Sequence, residues 1–230
     1  DRSRGLGDVY KRQTLYKSEI VPTVIAWLNG RILVGEGASQ MKYQLKKGKN
    51  IWYSFKMELG EDLGAKYYDS ELREVDPFRI KNPVDAARVF FAYLKYLIIK
   101  YCTENNISTD ILYAVSIPAS FEANQRKDLL DALMANDMKV SKQALIDEPN
   151  AAFISYAVSR AAEDHPMFIS PDYNSKVLVF DFGGGTCDIS ILEIGQSANG
   201  FFSKNIAISK FTKLGGDDID LSLIHISEPT

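Results

Sequence analysis

Asp181, Gly183, Gly184, Gly185, Thr186 and Asp188 stand between two apolar runs, Val177 to Phe180 and Ile189 to Ile194. Three glycines in succession lack Cβ atoms, so they can take positive φ, turn successive N–H groups to one side and admit phosphate oxygens to hydrogen-bond distance. Asp181, at the end of the first run, would then face a magnesium ion through water, because magnesium gives up its hydration shell reluctantly. Thr186 would add a hydroxyl beside the terminal phosphate. A glycine triplet alone is also an ordinary turn. Asp188 either extends the acidic cluster or is a solvated carboxylate at a strand end.

The apolar runs read as strands that position this turn: Val177 to Phe180 as a buried strand, and Ile189 to Ile194 as one in which Ile189 and Ile191 alternate with Ser190 and Glu193. Phe201 to Ile208 continues the sheet. Upstream, Val21 to Leu28, Asn29-Gly30 and Arg31 to Val34 predict a hairpin with a type I′ turn. Residues 36 to 74 are polar, rich in Lys and Tyr, and read as irregular with short helices. Asn82 caps a helix with Pro83 at its first position, and Ala87, Phe91, Leu94, Ile98 and Tyr101 form its apolar face. Ile111 to Ile117 is a strand, Ser120 caps a helix through Met134, Val140 to Ile146 is a strand, and Asp147 caps a helix to about Arg160. The order βαβα implies an α/β layer.

With 230 residues and 46% hydrophobic content the chain can bury one large or two smaller cores. A net charge of -3, with both signs interspersed, argues against a nucleic-acid surface. The longest apolar stretch, Val89 to Ile99, is broken by Lys95 and too short to span a bilayer, so no membrane partner and a cytoplasmic location are expected. Cys102 and Cys187 have no Cys or His at ligand spacing and read as buried thiols.

Asp-Phe-Gly-Gly-Gly-Thr-Cys-Asp after an apolar strand resembles the second phosphate hairpin of the actin-like ATPases, and most closely that of the 70-kilodalton heat-shock chaperone family. Three further stretches match in the family's order. Val115 to Arg126 resembles its Val-Pro-Ala-x-Phe…Gln-Arg segment, Leu145 to Ala152 its Glu-Pro-x-Ala-Ala helix entry, and Leu214 to Asp220 its Leu-Gly-Gly-Glu/Asp-Asp-x-Asp turn. The resemblance implies an actin-like (ribonuclease-H-like) α/β fold. Residues 14–160 would be the first ATPase lobe, 161–175 a linker, and 176–220 the start of the second lobe. Residues 1–13 and 221–230 resemble translated adapter sequence and are expected to be non-native, a natural disordered tail at each end being the other reading.

It also implies ATP or ADP with Mg2+ as cofactors, and unfolded peptides, co-chaperones and a nucleotide-exchange factor as partners. Gly215 and Gly216 join the phosphate-binding glycines. Glu148 would face the metal and the attacking water; in the first turn of its helix it is also a carboxylate favoured by the dipole. Lys56, in Tyr-Ser-Phe-Lys-Met-Glu-Leu-Gly, matches a lysine that stabilises transition-state charge, although the surrounding residues differ and an exposed lysine is the other reading. Pro118 and Arg126 match positions that relay nucleotide state to a peptide-binding domain.

The family's first phosphate loop, Asp-x-Gly-Thr, would lie just before Thr14, where the residues do not match it. The adenine-holding segments and the peptide-binding domain would lie beyond residue 220. The expectation is therefore a partial site that binds Mg-ATP weakly and hydrolyses it negligibly. Asp181-Phe182-Gly183 also matches the protein-kinase magnesium tripeptide, but no His-Arg-Asp loop precedes it. Sugar kinases, actin-like filament proteins and a non-hydrolysing chaperone relative remain the rival readings.

Overall fold

The computed structural model describes residues 20–64, 68–141, 144–162, 175–197, 200–209, 214–216 and 219. The expected non-native ends, and 163–174 of the expected linker, lie outside the described residues. The chain forms two compact units, interleaved in sequence. The first holds the described residues up to Tyr113 together with Ala123–Val140; the second holds Ala114–Glu122 and the described residues from Ser141 onward.

In the first unit, β1 (Val24–Leu28) and β2 (Arg31–Val34) form the expected hairpin, closed by Asn29 and Gly30 with φ of 50° and 74°. The type I′ turn needs left-handed φ at both positions, and Asn-Gly supplies it. A short helix, α1 (Glu36–Ser39), follows, and β3 (Ile51–Tyr53) pairs antiparallel with the free edge of β1, giving the order β2-β1-β3. β3 falls in the region expected to be irregular, where three residues are too few for an alternating pattern. Its place is set by burial of Ile51 and Trp52; Ile51 packs with Val24, Ala26 and Ala38. A 3-10 turn, Phe55–Glu58, comes next.

Helix α2 (Pro83–Glu104) starts as expected: Asn82 Oδ1 accepts from Asp85 N at 2.8 Å, and Pro83 has no N–H to leave unpaired. Its buried face differs from expectation. Ala86, Ala87, Val89, Phe90, Tyr93 and Cys102 are buried, whereas Ile98 and Tyr101 are exposed, Tyr101 to 60%. From Val89 to Ile99 the helix is apolar nearly all round, so several stripes satisfy the helical period. Packing selects among them: Phe90 meets Phe55 edge-on with ring centroids 6.2 Å apart. Helix α3 (Ala123–Met134) packs on α2, and Lys95 Nζ donates to the carbonyl of Asn136 at 2.6 Å.

In the second unit, β4 (Val115–Ile117) and β5 (Leu145–Asp147) pair in parallel, and α4 (Glu148–Ala162) follows β5 directly. Both strands are shorter than the sequence implies. β6 (Ser175–Phe182), β7 (Cys187–Ser197) and β8 (Gly200–Ile208) form an antiparallel sheet in that order. Helix α4 covers one face of it through Phe153 and Ala157, against Val177, Val179, Leu192 and Ile194. The inward residues of β7 are Asp188, Ser190, Leu192 and Ile194, so Ile189 points away, contrary to the expected pattern. β6 is likewise one-sided rather than buried: Leu178, Phe180 and Phe182 are exposed. Cys102 is buried, but Cys187 is only partly so. The described architecture is mixed α/β.

Candidate functional site

The chemistry-bearing residues concentrate in the second unit, where β6 runs into β7. Phe182 pairs with Cys187, leaving a four-residue loop, 183–186, closed by Gly183 N–H donating to the Thr186 carbonyl at 2.9 Å. The expected positive φ is not used here. Among the described glycines it occurs at Gly30, Gly35, Gly48, Gly60 and Gly64, and not in the triplet, because a four-residue loop closed this way can turn without left-handed residues. Close approach explains a different glycine, Gly215. A Cβ on Gly215 would lie 2.6 Å from Gly184 C and O and from Gly185 N, so Gly215 rests its bare Cα on the Gly184–Gly185 peptide. Gly216 N–H donates to the Gly183 carbonyl at 3.0 Å. Two glycine stretches far apart in sequence thus form one backbone-lined surface.

Two features of that surface suit an anion. No described backbone carbonyl accepts from the N–H groups of Gly184, Gly185 or Thr186. The position where Gly184 would carry a Cβ is open, with nothing within 4 Å. A Cβ on Gly183 would lie 3.8 Å from Thr186 Oγ1, which places that hydroxyl over the loop.

Asp181 and Asp188 are direct partners across the β6–β7 ladder and so face the same side of the sheet. Asp181 is exposed, while Asp188 is only 8% exposed and accepts a 2.6 Å hydrogen bond from Ser120 Oγ. Like charges directly opposite destabilise a sheet, and a hydroxyl donor on the buried member offsets part of that cost. Ser120 does not cap α3 as expected. Phe121 N–H donates to the Pro118 carbonyl at 3.0 Å, and this turn delays the helix to Ala123, freeing the serine hydroxyl for Asp188.

Pro118, which is buried, follows β4, and Glu148, half-buried, follows β5. Because the strands are parallel and Ile117 pairs with Asp147, both residues lie at the carboxyl end of the pair, the end at which open α/β sheets hold ligands. Two side-chain bonds tie the β5–α4 junction to β8: Asn205 Nδ2 to Asp147 Oδ2 at 2.8 Å, and Asn150 Nδ2 to Ser203 Oγ at 2.6 Å. No local pattern signalled these bonds or that of Ser120, since each joins residues more than fifty positions apart.

Lys56 and Arg126 belong to the first unit, both half-buried, Lys56 on the 3-10 turn and Arg126 in the first turns of α3. Next to Lys56, Glu58 accepts from Tyr68 Oη and pairs with Lys47 Nζ at 2.9 Å. Burial, reinforced by Glu58, pushes the Tyr68 phenol well above its ordinary range. A cavity of about 320 Å3 opens in this unit beside Asp62, Tyr68, Arg79 and Lys81; it carries both signs of charge and none of the expected site residues. Among the described residues no group of three or more His, Cys, Asp or Glu could cage a metal ion.

Comparison with known proteins bears on the whole stretch. The profile of the family described as Hsp70 protein matches residues 14–228. The chain is 28% identical over 226 residues to a heat shock cognate HSP70 protein of Trypanosoma brucei brucei, covering 89% of this chain and 30% of that protein. It is 31% identical over 211 residues to the chaperone protein DnaK of Thermotoga petrophila, and equally to that of Thermotoga maritima, covering 90% of this chain and 30% of each. The chain therefore spans about three tenths of the length of these curated relatives. With four motifs in order and a match over nearly its whole length, the chain belongs to the Hsp70 protein family.

Proposed function

We propose that the chain is nucleotide-binding sequence of an ATP-driven chaperone with an actin-like ATPase fold, and that the 183–186 loop takes the phosphates of ATP or ADP. The observation that carries this reading is the seating of Gly215 on the Gly184–Gly185 peptide. It braces the loop's backbone, and the N–H groups of Gly184, Gly185 and Thr186, from which no described backbone carbonyl accepts, would donate to phosphate oxygens. Gly183 and Gly216 hold the loop's shape through their mutual backbone bond.

Asp181 and Asp188, paired across the ladder, would hold Mg2+ through water, as suits an ion that keeps most of its waters and leans on substrate phosphates. Bound Mg-ATP would supply the transferable phosphoryl group and the charge that neutralises it. The chain's own residues would then position and stabilise, which is most of what phosphoryl transfer to water requires. Thr186 would donate its hydroxyl to the terminal phosphate, Glu148 would orient water, and Lys56 would offset developing negative charge. Pro118 and Arg126 would pass the nucleotide state to a peptide-binding region outside this chain. Hydrolysis, unfolded-peptide clients, co-chaperones, an exchange factor and a cytoplasmic location are proposed for the whole protein.

The test is a titration of the 230-residue chain with Mg-ATP, followed by 1H–15N spectra. The expected result is weak binding, with shifts at Gly184, Gly185 and Thr186 that shrink without magnesium and vanish with AMP. Those amides staying put at millimolar Mg-ATP would overturn the reading.

A further inference from the structure

Gly60 is gripped from both sides by one helix of the first unit. Its N–H donates to Asp128 Oδ2 at 2.8 Å and its carbonyl accepts from Asn124 Nδ2 at 2.9 Å; the two side chains stand one turn apart on α3. Only glycine fits this grip. Its φ is 79°, and an added Cβ would come within 2.8 Å of Asn124 Nδ2 and Gln125 Cγ. The bond to Asp128 is charge-assisted and so among the stronger kinds.

The place of this grip in the chain matters more than its strength. Gly60 is four residues past Lys56, at the exit of the Phe55–Glu58 turn, where Phe55, Met57 and Leu59 are buried and Lys56 and Glu58 alternate with them. Beyond it, Glu61 and Asp62 are exposed and in no regular element. The grip is thus a fixed point between a loop without regular structure and the lysine-bearing turn. It fastens that turn to the helix that carries Arg126, so a shift of α3 would carry the turn with it. Asp128 lies outside the four stretches that match the family motifs.

We propose that Asn124 and Asp128 are positioning residues for Lys56, setting through the Gly60 peptide where its amine is presented. The proposal rests on the reading of Lys56 as the charge-stabilising group.

Both are tested on the 230-residue chain. Amide exchange at Gly60 and the acylation rate of Lys56, referred to Lys81 in the same sample, are measured for Asn124→Ala, Asp128→Ala and Asp128→Asn. The expected result is at least tenfold faster exchange at Gly60 and at least a threefold change in Lys56 labelling for Asp128→Ala, with Lys81 unchanged. Asp128→Asn keeps an acceptor oxygen and stays within twofold of the parent. Asn124→Ser provides the milder variant if an alanine variant does not fold. Unchanged Lys56 labelling in folded variants overturns the proposal. Lys56 labelling in the parent that stays unchanged when Mg-ADP and aluminium fluoride, a mimic of the phosphoryl group in transfer, are added also overturns it, by removing the reading beneath, and the arm that fails tells the two apart.

Discussion

Between β1 and β2 the chain turns on Asn29 and Gly30, both left-handed, and a Cβ on Gly30 would meet nothing within 4 Å. Between β6 and β7 it turns through three glycines, none with positive φ, and the crowding is at Gly215, whose Cα touches the loop from another part of the chain. The first hairpin needs its own glycine for backbone freedom, whereas at the second it is the incoming Gly215 that needs thinness. The distinction matters because a turn that needs only freedom is complete in itself, whereas one on which a distant glycine rests is built to meet another segment.

Substitutions can break or sharpen this contrast. Gly215→Ala should have the largest effect, a loss of about 3 kcal/mol in denaturant unfolding, because a Cβ at 2.6 Å must push backbone away from backbone. Gly30→Ala should cost about 1 kcal/mol by the same measurement, the strain of a left-handed alanine with room around it. Gly184→Ala reverses the sign: with open space and no positive φ it should gain about 0.7 kcal/mol through the unfolded state. The same variant should lose the Mg-ATP response, since the methyl fills the space proposed for phosphate. The smallest effect is expected for Asp181→Asn, a gain of about 0.3 kcal/mol from relieving its like-charge pairing with Asp188, accompanied by a weaker dependence of nucleotide binding on magnesium. Equal losses at Gly215 and Gly30 would erase the distinction between the two hairpins.

What could be read in the sequence was what is decided within a few residues. Asn29-Gly30 specifies its turn, Asn82-Pro83 starts its helix, and Asp181 through Asp188 marks the hairpin, because in each case neighbouring residue types restrict the backbone. The face that α2 buries was not legible, since its apolar residues run almost all round and Phe55 decides among them. Ser120 looked like a helix cap because serine before an amphipathic run usually is one. Its partner Asp188 lies 68 residues away, the same separation that hides the grip of Asp128 on Gly60. The candidate site therefore divides along the same line: the glycine loop proposed to take phosphate is local and legible, while the residues that brace it or orient its neighbours come from contacts that one sequence does not announce.

The interleaving of the two units has a consequence for the order in which the protein can form. The chain leaves the first unit at Ala114 to contribute β4 and returns to it at Ala123. Every residue of β4 pairs with one thirty places later, Ile117 with Asp147 among them. A chain emerging from the ribosome thus presents the residues of α3 while β4 is still waiting for its partner strand. Parallel pairing across such a gap closes slowly, because the loop entropy is lost before any bond forms. During that interval β4 exposes unpaired backbone, the kind of edge that chaperones themselves exist to shield.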